Sequence, residues 1–320
     1  MYNEEQKMRF ISCKDFATDN NEKRYRGLFR IIAPTEEKYG ADVCTFNEEQ
    51  IRETLDGLLG LRNQSKWARI NALKRYIKWC EVSGVKNVSN AMFDIEFDGT
   101  KQFRQKTIAN PAHMQRYLNT IFSPVEDETV DNVFRCYLWL AYMGILEDDL
   151  LEIKCSDVDI VEGVLNYKSN KVPIYPEAIS CFKVCVECGS FVYPHPIYPS
   201  GWRKDRAAGN QLLRGTNKSQ SLQYIRNRIS GITKEKVESG ETAVRLTHFR
   251  AWLSGLFYRT RQLELNGVAP DFSPIAVVQA KRSRAKIRPD KKENATKYRQ
   301  TRIEFEYQND YQQWKAVFDI

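Results

Sequence analysis

Apolar residues recur at three- and four-residue steps through Trp67, Ile70, Leu73, Ile77 and Trp79 or Cys80. That spacing predicts a helix from Ser65 to Ser83, closed by Gly84. Upstream, Thr45-Phe46-Asn47-Glu48 has the pattern of a helix cap, with the helix running to about Gly60. A third helical pattern covers 111–122, and Ser123-Pro124-Val125-Glu126-Asp127-Glu128 reads as a linker. Residues 1–44 are mixed, with one amphipathic stretch from Tyr25 to Ile31. Beyond the linker, 130–151 is strongly apolar and helical, broken by Gly144. Short alternating runs at 158–160, 164–167 and 171–175, separated by Glu162-Gly163 and Ser169-Asn170, predict a small sheet. Helices are then expected at 176–188, 219–236, 247–263 and 303–318, with a proline-rich loop at 193–199. The pattern is mainly α with a small β-sheet, an α+β plan without internal repeats. It divides into an N-terminal extension (1–44), a helical domain (45–122) and a larger domain (123–320).

Composition narrows the class. Of the 320 residues, 42% are hydrophobic and 12% aromatic, enough for packed cores. No run approaches the roughly 20 apolar residues of a spanning helix, and the first residues lack the apolar stretch of a secretory signal. With these features, eight cysteines read as reduced thiols of a cytoplasmic protein. Cys181, Cys185 and Cys188, with His195 downstream, contain a single Cys-x-x-Cys, whereas a structural zinc site usually pairs two. Cys181 and Cys185 are expected to pack on one buried helix face. No metal and no cofactor are expected.

Charge changes the picture more by placement than by sum. Forty-nine Lys and Arg against 41 Asp and Glu give +8. Between Asp56 and Glu81 no acid occurs, while Arg62, Lys66, Arg69, Lys74, Arg75 and Lys78 all do. Arg62, Lys66, Arg69 and Lys74 lie on neighbouring faces opposite the apolar stripe, the footprint expected of phosphate contact. A second basic stretch, from Arg203 to Lys218, leads into a helix carrying Arg226 and Arg228. A third, 281–302, holds ten bases against Asp290 and Glu293. Bases in both domains point to double-stranded DNA as partner; solvated faces are the plainer reading of any one run.

One constellation points to a family. Tyr142-Met143-Gly144-Ile145-Leu146-Glu147-Asp148-Asp149-Leu150-Leu151 leads into Asp157-Val158-Asp159. Tyr167-Lys168-Ser169-Asn170-Lys171-Val172-Pro173-Ile174 follows, then Thr247-His248-Phe249-Arg250-Ala251-Trp252. In order and spacing these segments resemble the tyrosine recombinase (phage integrase) family over about 45–318. The resemblance implies a SAM-like core-binding domain followed by an integrase catalytic-type domain.

It also implies a chemistry: two arginines hold the scissile phosphate, a tyrosine attacks phosphorus, and a hairpin lysine protonates the departing 5′ oxygen. Arg250 matches the second arginine and Lys168 the hairpin lysine, with Lys171 as fallback. Leu146 stands in the first arginine's place, Asp149 in that of the usual glutamate, and Thr247 in that of the first histidine; His248 is one place off register. Tyr298 is the best nucleophile candidate, ahead of Tyr307 and Tyr311. Losing one arginine that stabilises a phosphoryl transition state costs on the order of 10³–10⁵ in rate, whereas phosphate binding is spread over many contacts. The expectation is therefore a sequence-specific DNA-binding protein that does not cut, similar to the integrase-like master repressors that keep SPβ-type prophages lysogenic. Arg62, Lys66, Arg69, Lys74, Lys168, Lys171, Arg226, Arg228, His248 and Arg250 are its candidate DNA contacts. A divergent active recombinase is the alternative, and a basic group beside Leu146 would favour it. The apolar positions of 302–318 (Phe305, Trp314, Val317, Phe318) suit either self-association or packing on the chain's own domain.

Overall fold

The computed structural model describes residues 2–13, 19–58, 63–95, 103–193, 202–215, 221–282 and 292–320. The chain forms two compact units, Met1–Phe103 and Arg104–Ile320. Helices dominate both, with small antiparallel sheets in the second.

The first unit contains α1 (Glu4–Ile11), α2 (Asp19–Tyr39), α3 (Glu48–Gly57), α4 (Asn63–Val82) and the single turn α5 (Ala91–Asp94). Asn47, not Thr45, caps α3: its side chain accepts from Gln50 N at 3.0 Å, and the Gln50 side chain accepts from Asn47 N at 2.9 Å. The expected extension 1–44 is instead part of this core. Phe10, Leu28, Phe29 and Ile32 from α1 and α2 pack with Ile70, Leu73, Tyr76 and Ile77 of α4. Phe10 meets Tyr25 and Tyr76 edge-on, with centroids 4.9 and 5.2 Å apart. The same core holds a buried ion cluster in which Lys7 pairs with Glu36 and lies 3.7 Å from Asp42. Tyr76 donates its hydroxyl to Asp42 at 2.9 Å. Lys7 and Glu36 stand on the buried faces of α1 and α2, so these helices escape a reading from apolar residues alone.

The second unit is built around α7 (Asp131–Tyr142), every residue of which after Asp131 is buried. It packs against α8 (Pro176–Glu187) and α10 (His248–Leu265). Helix α6 (Pro111–Ile121) belongs to this unit, which moves the expected boundary from 122 to 103. Polar ties explain the shift: Ile108 N donates to Ser254 Oγ at 3.0 Å, Trp314 Nε1 to Ile108 O at 3.1 Å, and Leu246 N to Tyr117 Oη at 3.2 Å. Strands β1 (Val158–Asp159), β2 (Val164–Tyr167) and β3 (Asn170–Pro173) form an antiparallel sheet in the order β1-β2-β3, with Leu165 opposite both Val158 and Val172. The β2–β3 turn puts Lys168 and Ser169 at φ 47° and 64°, so two ordinary residues hold a backbone that glycine or asparagine usually fills. A second hairpin, β4 (Ser190–Tyr193) with β5 (Trp202–Asp205), flanks the proline-rich segment and was not evident from the sequence pattern.

Helices α9 (Leu222–Glu238), α11 (Ser273–Arg282) and α12 (Lys292–Phe318) complete the unit. Helix α12 begins well before the expected 303. Its apolar residues Tyr307, Tyr311, Trp314 and Val317 are buried in the chain's own second unit, around Phe257 and Phe272. Self-association through 302–318 would have to use what this packing leaves outside, such as Phe305 at 63% exposure. Cys181 and Cys185 do lie on the buried face of α8, beside Cys136 of α7. Cys188 is half-buried and His195 lies outside the described residues. Among the described residues no cluster of three metal-ligating side chains occurs, and no helix is long and apolar enough to cross a membrane.

Candidate functional site

The segments that carry the resemblance converge in the second unit. Helix α7 ends at Tyr142, the chain turns at Gly144 (φ 102°), and Glu147–Asp149 form one 3-10 turn. Facing it is the start of α10, where Thr247 Oγ1 accepts from Arg250 N at 3.4 Å as the N-cap. Helix α9 supplies a third wall. Between them lies a cavity of about 560 Å³ lined by Tyr137 and Glu147, by Arg226, Ile229, Ser230, Thr233 and Lys234 of α9, and by Arg245, Leu246, His248, Phe249 and Arg250.

The charges in this cavity are unequal. Arg226 Nε donates to Glu147 Oε1 at 2.6 Å, and Tyr137 donates its hydroxyl to the same carboxylate. Burial works to raise the Glu147 carboxyl, but the hydrogen bonds from Arg226 and Tyr137 and the charge of His248 more than offset it, leaving it below its ordinary value. Burial and the Glu147 hydrogen bond push the Tyr137 hydroxyl up. Arg250 is half-buried and donates to the carbonyl of Arg245. Burial first, and then the charge of Arg245, lower its pKa, although a guanidinium remains charged at neutral pH. Among the described residues no carboxylate forms an ion pair with Arg245 or Arg250. His248 stacks obliquely on Tyr137, centroids 5.2 Å apart.

Three of the sequence candidates, Arg226, His248 and Arg250, therefore meet in one cavity, and Arg245 joins them. Arg245 was missed; its only signal was its position two residues before the Thr247-His248-Phe249-Arg250 segment. Leu146 is half-buried and outside the cavity lining. Arg226 is paired with Glu147, the residue after Leu146. Lys168 is exposed at the β2–β3 turn and forms an ion pair with Asp149 at 2.8 Å; the Tyr167 hydroxyl donates to the same carboxylate. Asp149 thus anchors the hairpin rather than the cavity. Lys171 on β3 and Arg228 on α9 are exposed.

The nucleophile candidates separate. Tyr307 and Tyr311 are core residues, at 4% and 0% exposure, and Tyr311 donates to Glu264 at 2.6 Å. Tyr298 is 73% exposed on α12. Among the described residues, neither Tyr298 nor any other of α12 lines the cavity.

On the first unit, Arg69 Nη1 donates to Leu58 O at 2.6 Å, tying α4 to the end of α3. Lys74 sits over the Phe93 ring, 5.5 Å from its centroid. Part of the expected phosphate-contacting face therefore has structural work, while Arg75 and Lys78 are exposed beside it. Arg62 and the Lys66 side chain lie outside the described residues.

The fold is of the mainly helical α+β class, consistent with the tyrosine-recombinase plan of a helical domain followed by a larger domain with a small antiparallel sheet. Residues 1–82 match the family model described as MrpR, N-terminal core-binding domain. The match begins inside the segment expected to be an extension, in agreement with the part α1 and α2 take in the first core. No curated protein matches the chain.

Proposed function

We propose that this chain is a sequence-specific double-stranded DNA-binding protein, a phage or prophage transcriptional repressor that maintains lysogeny from the bacterial cytoplasm and nucleoid. Its scaffold is of the recombinase type without strand cleavage. The likeness of residues 1–82 to a core-binding domain supports the DNA-binding part. The observation that carries the loss of cleavage is the pairing of Leu146 with Glu147. At the turn where the resemblance calls for a phosphate-clamping arginine, the chain places an aliphatic side chain and then a carboxylate that occupies Arg226. An anion in that place repels the charge a phosphoryl transition state builds, where catalysis needs donors aimed at it. Phosphate contacts made elsewhere, by exposed bases such as Arg75, Lys78, Lys171 and Arg228, are unaffected by that exchange.

Arg226 also favours a second reading, since it is a cation held on the residue next to Leu146 and serves a divergent recombinase once freed from Glu147. One experiment separates the two. Labelled duplex fragments of the resident phage genome are titrated with protein at several salt concentrations, and each reaction is also run on a denaturing gel. Binding to recurring short sites with a steep salt slope and no adduct is the expected outcome. A covalent adduct lost in Tyr298→Phe would establish cleavage.

A further inference from the structure

We infer that the cavity between α7, α9 and α10 is a binding site for a small free ligand with one phosphate-like anionic group and an aromatic or apolar body, a mononucleotide-sized molecule. Three features of the site point there. Its volume, about 560 Å³, is several times what one phosphate group fills and falls in the range of about 300–1,000 Å³ typical of small-molecule pockets. Its charged end is unbalanced: Arg250 is half-buried next to Arg245, and among the described residues neither has a carboxylate partner. Half-buried Arg250 donates to the backbone carbonyl of the exposed Arg245, and an oxyanion beside both cations takes charge-assisted N–H donors. Part of its remaining wall is apolar. Ile229 and Leu246 are buried at 3% and 2% exposure and line the cavity with Phe249. Ser230 adds a hydroxyl on the same wall. A DNA strand passing outside can offer the arginines a phosphate, but it leaves the apolar part unfilled; a small ligand uses both.

The site stands on this geometry alone. Its use as a control, with ligand and DNA competing for the same arginines, rests on the DNA-binding reading above. The two are tested separately. Calorimetric titration of the full chain without DNA, at constant ionic strength set with chloride, uses inorganic phosphate and then adenosine 5′-monophosphate as probes. The expected result is saturable binding of both, with the nucleotide at least 10-fold tighter than phosphate. Arg245→Gln, on an exposed side chain that does not threaten folding, and Arg250→Gln each weaken it 10-fold or more, while Lys183→Gln on the exposed face of α8 leaves it unchanged. Equal weak binding in all four proteins, or heat from a short DNA duplex only, overturns the ligand site. DNA affinity measured by gel shift on the same variants reports on the other reading. Loss of DNA binding with nucleotide binding intact would refute only that reading.

Discussion

Gly255→Ala provides a test of the packing that builds the site, because two ordinary effects oppose each other there. Gly255 lies in α10 where the helix crosses the end of α7. A Cβ built on it would stand 1.8 Å from the Tyr142 carbonyl oxygen and 2.6 Å from its carbon. In an open helix the same change adds stability, since alanine exceeds glycine by about 1 kcal/mol in helix propensity. Here the neighbour is backbone, and that carbonyl already accepts from Arg259 Nη1. It cannot swing aside like a side chain, so the two helices must separate by more than an ångström, in a core packed like a crystal. Overpacking of this kind costs about 3 kcal/mol or more, so the clash wins and the net loss is about 2 kcal/mol after the propensity gain. Gly231→Ala on α9 is the control: nothing stands within 4 Å of its Cβ, and the expected change is a gain of about 0.5–1 kcal/mol. Urea unfolding followed by tryptophan fluorescence reads both, the Gly255→Ala midpoint falling by roughly 1 M at a slope of about 2 kcal/mol/M. Equal midpoints for wild type and Gly255→Ala would refute the close approach of α7 and α10, and with it the positioning of Glu147 opposite Arg250.

Lys7→Met leaves Glu36 and Asp42 in the first core without their cation, and the expected loss is about 3–5 kcal/mol, measured as a drop in thermal midpoint. Glu264 accepts from Tyr311, Lys315 and Arg261, which together hold its carboxyl down to about 2. A group depressed in the folded state stabilises above the unfolded value of about 4.5 and loses that contribution as pH falls toward 2. Glu264→Gln should therefore cost about 1 kcal/mol at pH 7 after solvent screening and nothing near pH 2, read from unfolding midpoints at both pH values. Lys168→Ala removes an exposed ion pair with Asp149, so stability changes by less than about 1 kcal/mol; if the hairpin touches DNA phosphate, the salt slope of binding falls by about 1. An unchanged slope would take Lys168 out of the DNA contact.

What the sequence made legible was what has a period or a fixed order. Helix α4 was readable because Ile70, Leu73, Ile77 and Cys80 bury one stripe, and the β2–β3 hairpin because two alternating runs flank a short polar turn. Helix α1 was not, because its buried face includes Lys7, a residue that becomes a core side chain only when Glu36 from a distant helix meets it. Helix α6 was readable as an element and misassigned to a domain, since the bonds that tie its region down come from Leu246, Ser254 and Trp314, more than a hundred residues away. The site divides along the same line. His248 and Arg250 follow from segment order and Arg226 from the run of bases on its helix, whereas Arg245 enters only through the turn before α10. Their partners decide what each can do. Arg226 and Arg250 look alike as basic residues, yet one is paired with Glu147 while the other donates to the Arg245 carbonyl and, among the described residues, forms no ion pair with a carboxylate. On the reading proposed above, that difference favours holding an anion over cutting a phosphodiester.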